Sequence, residues 1–468
     1  MNCRDLLIGQ MAILSTILAL LTWSSSVRAQ TGDMKEGMDV LLQQRQYLEL
    51  EQALAVRAAA LPPLSLAYFR GVMANRTNQV QQSLQLLRPL VANLSATNPA
   101  RAELALCTLA DDYAKSFRYA SAASFYARAN RVAEQQQKAS ECGAGREASR
   151  WGLLSKAPVQ TVTTAGAFTV RGRRDALGLF QVPITSGTYT GSWIVDTGAS
   201  LSVVSRSVAN RLGLEVSTGS QTAAGSGGLA VSVHTAVIPE MQLGPAILRN
   251  VAVLVVEDKD LNFPRFNYRI DGCLGVPVLA ALGRVTFYHD GRINFGRTEQ
   301  AYEEGSHSHH NFFLEEFTAV IMADFGHRKR LFTLDTGAMG TLLSDEFYEE
   351  DVRIANATEL VNLELSGAGG TLSVPAYEVF SLVVKFGPSC ARVNELEILT
   401  GTTGAVGRLD EFYGEIGESA LSSFSSFTLD FQTMHFSVTG GYPGDCTDKD
   451  TLVSSELRGK QIDPAHIY

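Results

Sequence analysis

Two patterns of apolar residues divide the chain. From residue 33 to 150 apolar positions recur at helical spacing, Gly and Pro are sparse, and Ala, Gln, Leu and Arg dominate, which predicts helices. Near Ala157-Pro158 the pattern changes to runs of alternating Val, Thr, Ile and Phe separated by Gly-containing turns, which predicts strands. Gly305-Ser306-His307-Ser308-His309-His310 interrupts the strand region and reads as a solvated linker rather than a metal site, because no acidic or Cys partner accompanies the histidines at metal spacing.

The strand region repeats itself. Trp193-Ile194-Val195-Asp196-Thr197-Gly198-Ala199 and Phe332-Thr333-Leu334-Asp335-Thr336-Gly337-Ala338 each run from an apolar strand into Asp-Thr-Gly-Ala. Each then continues through a spacer to two apolar residues and a serine, Val203-Val204-Ser205 and Leu342-Leu343-Ser344. A second match lies downstream. Cys273-Leu274-Gly275 is followed by Leu279, Leu282, Val285 and Phe287, and Glu415-Ile416-Gly417 by Leu421, Phe424, Phe427 and Leu429. The first three positions of each series suit a short helix face and the last begins a strand. The Asp pair is offset by 139 residues and the Gly pair by 142, so two separate anchors give nearly one offset and mark a duplication.

The bulk numbers narrow the function. The chain has 468 residues, enough for two or three domains, with 45% hydrophobic and 19% charged content, which is globular composition. A net charge of −9 without a long basic run argues against nucleic acid as the main partner. Arg4 precedes an apolar stretch from Met11 to Trp23 and then Val27-Arg28-Ala29, which reads as an export signal over residues 1–29. The apolar core is short beside the roughly 20 residues of a membrane span. A periplasmic or secreted protein is therefore expected, with retention by an uncleaved signal anchor as the second reading. Cys3 leaves with the signal, and the remaining five cysteines (Cys107, Cys142, Cys273, Cys390 and Cys446) leave at least one thiol unpaired. Buried apolar thiols and a disulfide framework are both open readings.

The duplicated pattern, from about Thr163 to Val438, resembles the retropepsin and pepsin family of aspartic proteases. The resemblance implies an all-β bilobal fold in which each half supplies one Asp on a loop after an apolar strand. It also implies a hydrophobic-Gly element behind each loop and a glycine-bearing hairpin flap over the cleft. Carried over, the catalytic pair is Asp196 and Asp335, supported by Thr197, Gly198, Thr336 and Gly337. The hydrophobic-Gly elements are Leu274-Gly275 and Ile416-Gly417. The flap candidates are Gly225, Gly227 and Gly228 in one half and Gly369 and Gly370 in the other. The threonines are implied to hydrogen-bond across the pseudo-dyad to backbone of the opposite loop. Ala199 and Ala338 follow the Asp-Thr-Gly as in retropepsins, where pepsins usually have Ser or Thr, and neither flap tip carries the tyrosine of the pepsin flap. Retropepsins pair two identical chains. This chain holds both halves, so a monomeric pseudo-dimer is expected, although near-equal halves also permit pairing with another chain.

Glu415 stands where an apolar residue is usual. A buried unpaired carboxylate is costly, so either Glu415 reaches solvent or the alignment shifts by one residue.

The helical region has a weaker resemblance. Leu106, Leu109, Ala110 and Tyr113 on one helix, and Ala122, Tyr126 and Ala129 on the next, look like a tetratricopeptide pair. An earlier copy, offset by 39 residues, places Gly71 at the position of Ala110 and Ser83 and Leu87 at those of Ala122 and Tyr126. Stacked repeats often bind proteins, and a prosegment, spacer or cap is the other reading.

The expected organisation is multidomain, α then β. A tetratricopeptide-like helical domain spans 30–156, a first β lobe 157–300, a linker 301–312, a second lobe 313–440 and a tail 441–468. The expected activity is hydrolysis of peptide bonds in a polypeptide substrate by a water activated between the two Asp residues, with no metal or cofactor. The alternative is a non-catalytic module that binds protein through the helices and holds peptides in the β cleft. Retention of two Asp residues argues against it, since a binder gains nothing from a costly carboxylate pair.

Overall fold

The computed structural model describes residues 37–224, 230–296, 309–325, 328–350, 359–400 and 411–441. The segment read as an export signal and the tail lie outside these residues, as do Gly225, Gly227, Gly228 and His307. A helical region is followed by a β region, as the apolar periodicities predict.

The main helices are α1 (Tyr47–Arg57), α2 (Pro63–Arg76), α3 (Val80–Leu87), α4 (Val91–Thr97), α5 (Pro99–Lys115), α6 (Tyr119–Gln135) and α7 (Ala144–Leu153). Three-residue turns join α2 to α3 and α5 to α6, so each pair folds back on itself. The turns are alike. Asn78 and Phe117, 39 residues apart, both take positive φ, and Gln79 N–H and Arg118 N–H donate to the carbonyls of Ala74 and Tyr113. Arg45 forms a third such turn, with Gln46 N–H donating to Leu41, which the residue pattern did not suggest. Gly71 lets α2 approach α3, because a Cβ there would strike Leu87. A disulfide joins Cys107 on α5 to Cys142 before α7. Cys390 is also disulfide-bonded, and Cys273 is free and buried. The open reading of the cysteines therefore resolves toward disulfides for three of them.

Each β lobe is built round the same local topology. In the first, Gly272–Leu274 lies parallel to Tyr189–Val195 and antiparallel to Ser202–Ser205. Ser202–Ser205 in turn runs parallel to Ala246–Val256. In the second, Gly414–Ile416 lies parallel to Arg328–Leu334 and antiparallel to Leu342–Leu343, which runs parallel to Ser389–Leu399. The strands are apolar on both faces because each is covered on both sides, so Trp193, Val195, Phe332 and Leu334 are all buried.

A five-stranded sheet joins the lobes. Its centre is the antiparallel pair of Arg284–Tyr288 with Ser426–Asp430, in which Thr286 faces Thr428. These two threonines are 142 residues apart and their hydroxyls hydrogen-bond at 2.9 Å. That is the same offset as the hydrophobic-Gly elements, so equivalent residues meet each other and the pseudo-two-fold axis passes between them. Phe287 and Phe427 stack at 4.6 Å beneath the pair.

The helical region is docked on both lobes. Tyr47 donates to Glu315 and receives a hydrogen bond from Arg76 at 3.2 Å, while Lys115 Nζ donates to Leu314 O at 2.8 Å. Asn78 reaches Phe431 O in the turn that follows the central strand Ser426–Asp430, and Arg150 on α7 reaches Ser200 in the first lobe. At its described end, His309 and His310, the histidine tract differs from the expected solvated linker. His310 hydrogen-bonds Glu51 on α1, and the strand Phe312–Glu315 begins inside the stretch read as linker.

Candidate active site

The two Asp-Thr-Gly loops meet at the pseudo-two-fold axis. Thr197 N–H donates to Thr336 Oγ1 at 3.1 Å, and Thr336 N–H donates to Thr197 Oγ1 at 3.0 Å. Each hydroxyl then donates across the axis, Thr197 to Leu334 O at 2.7 Å and Thr336 to Val195 O at 2.6 Å. Both threonines are buried, at 1% and 0% exposure, so all four bonds are made away from water. The grip holds the carboxyl groups of Asp196 and Asp335 within hydrogen-bonding contact of each other.

The glycines bring each loop against the opposite carboxyl. A Cβ on Gly198 would overlap the Asp335 carboxylate, and one on Gly337 would lie 2.8 Å from Asp196 Cγ. Gly198 N–H and Ala199 N–H donate to Asp196 Oδ1 at 2.8 and 3.0 Å, and Gly337 N–H donates to Asp335 Oδ1 at 2.7 Å. Behind the loops, Asp196 N–H donates to Leu274 O and Asp335 N–H to Ile416 O, each at 3.0 Å. Gly275 N–H is taken by Ser202 Oγ at 3.1 Å and Gly417 N–H by Thr341 Oγ1 at 3.2 Å. Gly275 must be glycine, since a Cβ would sit 2.6 Å from Ala199 O; Gly417 is held against Gly340 in the same way. Arg174 of the first lobe pairs at 2.6 Å with the buried Glu418 that follows Gly417, which ties the two supports together.

The second flap candidate is a two-residue hairpin turn, with Gly367 facing Gly370 across Ala368-Gly369. The positive φ values of 93° at Gly369 and 136° at Gly370 suit glycine. The tip crosses to the first lobe, where Gly369 N–H donates to Asp260 O at 3.1 Å and Ala368 packs against the cluster of Val231, Val233, Val256 and Leu261.

Burial raises both carboxyls. For Asp335 the push is large and is increased by the charges of Asp196 and Glu415. For Asp196 burial is opposed by hydrogen bonds from Asp335, Gly198 and Cys273. Two carboxyls this close cannot both ionise readily, so the pair holds one proton in common over a wide pH range.

The alignment at Glu415 holds: it pairs with Thr333 in the register of Cys273 with Ile194. Its carboxyl lines the same cavity as Asp196 and Asp335, a space of about 990 Å³. Burial, then the charge of Asp196, pushes its pKa up to about 7. The pseudo-symmetric residue is Cys273, whose thiol touches Asp196 and is itself raised by burial. The residue pattern marked Glu415 only as an anomaly and gave Cys273 no role at the site, although the 142-residue offset superposes them.

A stability test follows. The folded chain holds the Glu415 proton from the ordinary value of 4.5 up to about 7, so wild-type stability falls as pH rises through that window. Glu415→Gln should raise the melting temperature by a few degrees at about pH 8 and leave it unchanged at about pH 4. Equal shifts at both pH values would show that the side chain is not held protonated.

Residues 181–278 match the model of the aspartyl protease family. The matched stretch contains Asp196-Thr197-Gly198 and Leu274-Gly275, the first loop and its support. Among solved structures, a retropepsin-like aspartic protease from Rickettsia conorii is similar at 19% identity over 29% of this chain and 92% of that chain, with a TM-score of 0.21. No curated protein matches the chain.

Proposed function

We propose that the chain is an aspartic endopeptidase that hydrolyses polypeptides with a water activated between Asp196 and Asp335, one from each lobe. The observation that carries this is the half-buried, mutually touching carboxyl pair held by four cross-axis threonine hydrogen bonds. The ionised carboxylate takes a proton from the water as its oxygen adds to the scissile carbonyl carbon. The protonated partner hydrogen-bonds the carbonyl oxygen, and a proton then passes to the leaving nitrogen as the C–N bond breaks. The second lobe acts as a retropepsin-like half, so one chain supplies the whole site as a monomeric pseudo-dimer. The protein works in an exported compartment, which the Cys107–Cys142 disulfide supports. Incubation with denatured protein across pH should give cleavage that pepstatin blocks. Absence of cleavage at every pH would end the proposal.

The pH optimum should be mildly acidic to neutral. Activity requires one shared proton, so raised carboxyls move both limbs of the profile upward. Ala199 and Ala338 offer no hydroxyl to stabilise the ionised form. A profile of kcat/KM on a peptide substrate, with Ala199→Ser and Ala338→Ser beside wild type, reads this directly. The Ser variants should shift the acidic limb down. A wild-type optimum at about pH 2, or limbs that stay in place, would contradict the assignment.

A further inference from the structure

The two sides of the cleft are chemically unequal at one pair of equivalent positions. Beside Asp196, Cys273 packs with Leu179 and Ile194 in an apolar cluster. The matching place on the other side holds Glu415, next to Leu342. Both line the cavity that contains the Asp pair, so a peptide drawn across the axis presents one flanking side chain to each. Thr333, the cross-strand neighbour of Glu415, donates its hydroxyl to Gly414 O at 3.3 Å, and among the described residues no Lys or Arg forms an ion pair with Glu415.

We infer that Glu415 selects a lysine or arginine on one side of the scissile bond, while the Cys273 side takes an apolar residue. This rests on the endopeptidase reading above. The arginines on the cavity wall, Arg45, Arg76, Arg146 and Arg150, pair with Glu315, Glu411 and Glu147, so the cation that would compensate the lost hydration of the Glu415 carboxylate has to come from the substrate. A cationic side chain also stabilises the ionised form that burial disfavours. A matched apolar side chain would leave the carboxyl without that partner, and a site built for a polar group discriminates strongly against an analogue lacking it.

The test uses the full chain and a peptide library made by cleavage after acidic residues, so that internal Lys and Arg survive. Cleavage sites are read by mass spectrometry, followed by kcat/KM for matched pairs carrying Lys or norleucine at the two flanking positions. Wild type should favour Lys at one position by roughly 10- to 100-fold, the range of a charge-assisted hydrogen bond. Glu415→Gln should shrink the Lys-to-norleucine ratio, and Glu415→Leu should invert it. Should Glu415→Leu fold poorly, the isosteric Gln variant carries the test alone. A ratio that is the same in wild type and Glu415→Gln overturns the inference, including the case in which all substrates slow alike. Cleavage that depends on Asp196 but shows no basic preference also overturns it and leaves the endopeptidase reading standing. A wild-type protein that cleaves nothing in the library removes that reading instead.

Discussion

Asp196→Asn and Asp335→Asn should each abolish peptidase activity, with kcat/KM falling by about 10⁴-fold or more, while the fold remains. Asn keeps the shape and can accept the N–H bonds from Gly198 or Gly337, but the pair then has neither a shared proton nor a full general base. The melting temperature should rise above wild type at neutral pH. Each Asp is raised by burial, so its ionisation costs stability as pH rises through its folded value, and the neutral amide lacks that cost. Kinetics on one peptide and a thermal melt suffice. Near-native turnover in either variant would remove that Asp from the chemistry.

The second large effect is expected from Thr197→Val and Thr336→Val. Each substitution keeps the volume and deletes a hydroxyl that both accepts a backbone N–H and donates to a backbone carbonyl of the opposite loop. Two buried backbone groups lose their partner, which costs about 2–5 kcal/mol per variant. The carboxyl separation is set by the same bonds, so kcat/KM should fall by about 10- to 100-fold alongside the loss of stability. Because the four bonds form one network, the double variant should cost less than the sum of the singles. Chemical denaturation and peptide kinetics on the three variants check this. Additive, independent effects would mean that the loops are held by something else.

Much of this site was legible in the residues because it is built from local, repeated pieces. Asp-Thr-Gly after an apolar strand, and Leu-Gly or Ile-Gly downstream, are short motifs whose duplication at nearly one offset separates them from ordinary turns. The grip of Thr197 and Thr336 followed from the family resemblance. What the pattern could not give was contact between distant parts. The docking of Tyr47 on Glu315 and of Arg150 on Ser200 joins residues whose local spacing carries no sign of the partner. The cysteine pairing was open for the same reason, since Cys107 and Cys142 are brought together by helix packing. Glu415 was visible as an exception to an apolar rule, but only the pairing with Thr333 and Leu342 shows that it faces the cleft.

In the central sheet, Thr286 meets Thr428 and equivalents face equivalents, the self-complementary contact of a two-fold homodimer. Here the partners share one backbone, so closing the contact is unimolecular. On the proposed single-chain reading, dilution that would separate a two-chain pair should leave this site assembled. The tether has a second effect. A homodimer shows every side chain twice, once on each side of its axis, and so offers a peptide the same cleft in either direction. A single chain is free of that constraint. With a thiol at Cys273 and a carboxyl at Glu415, its cleft has a polarity, and under the proposed function an asymmetric substrate would be read in one orientation.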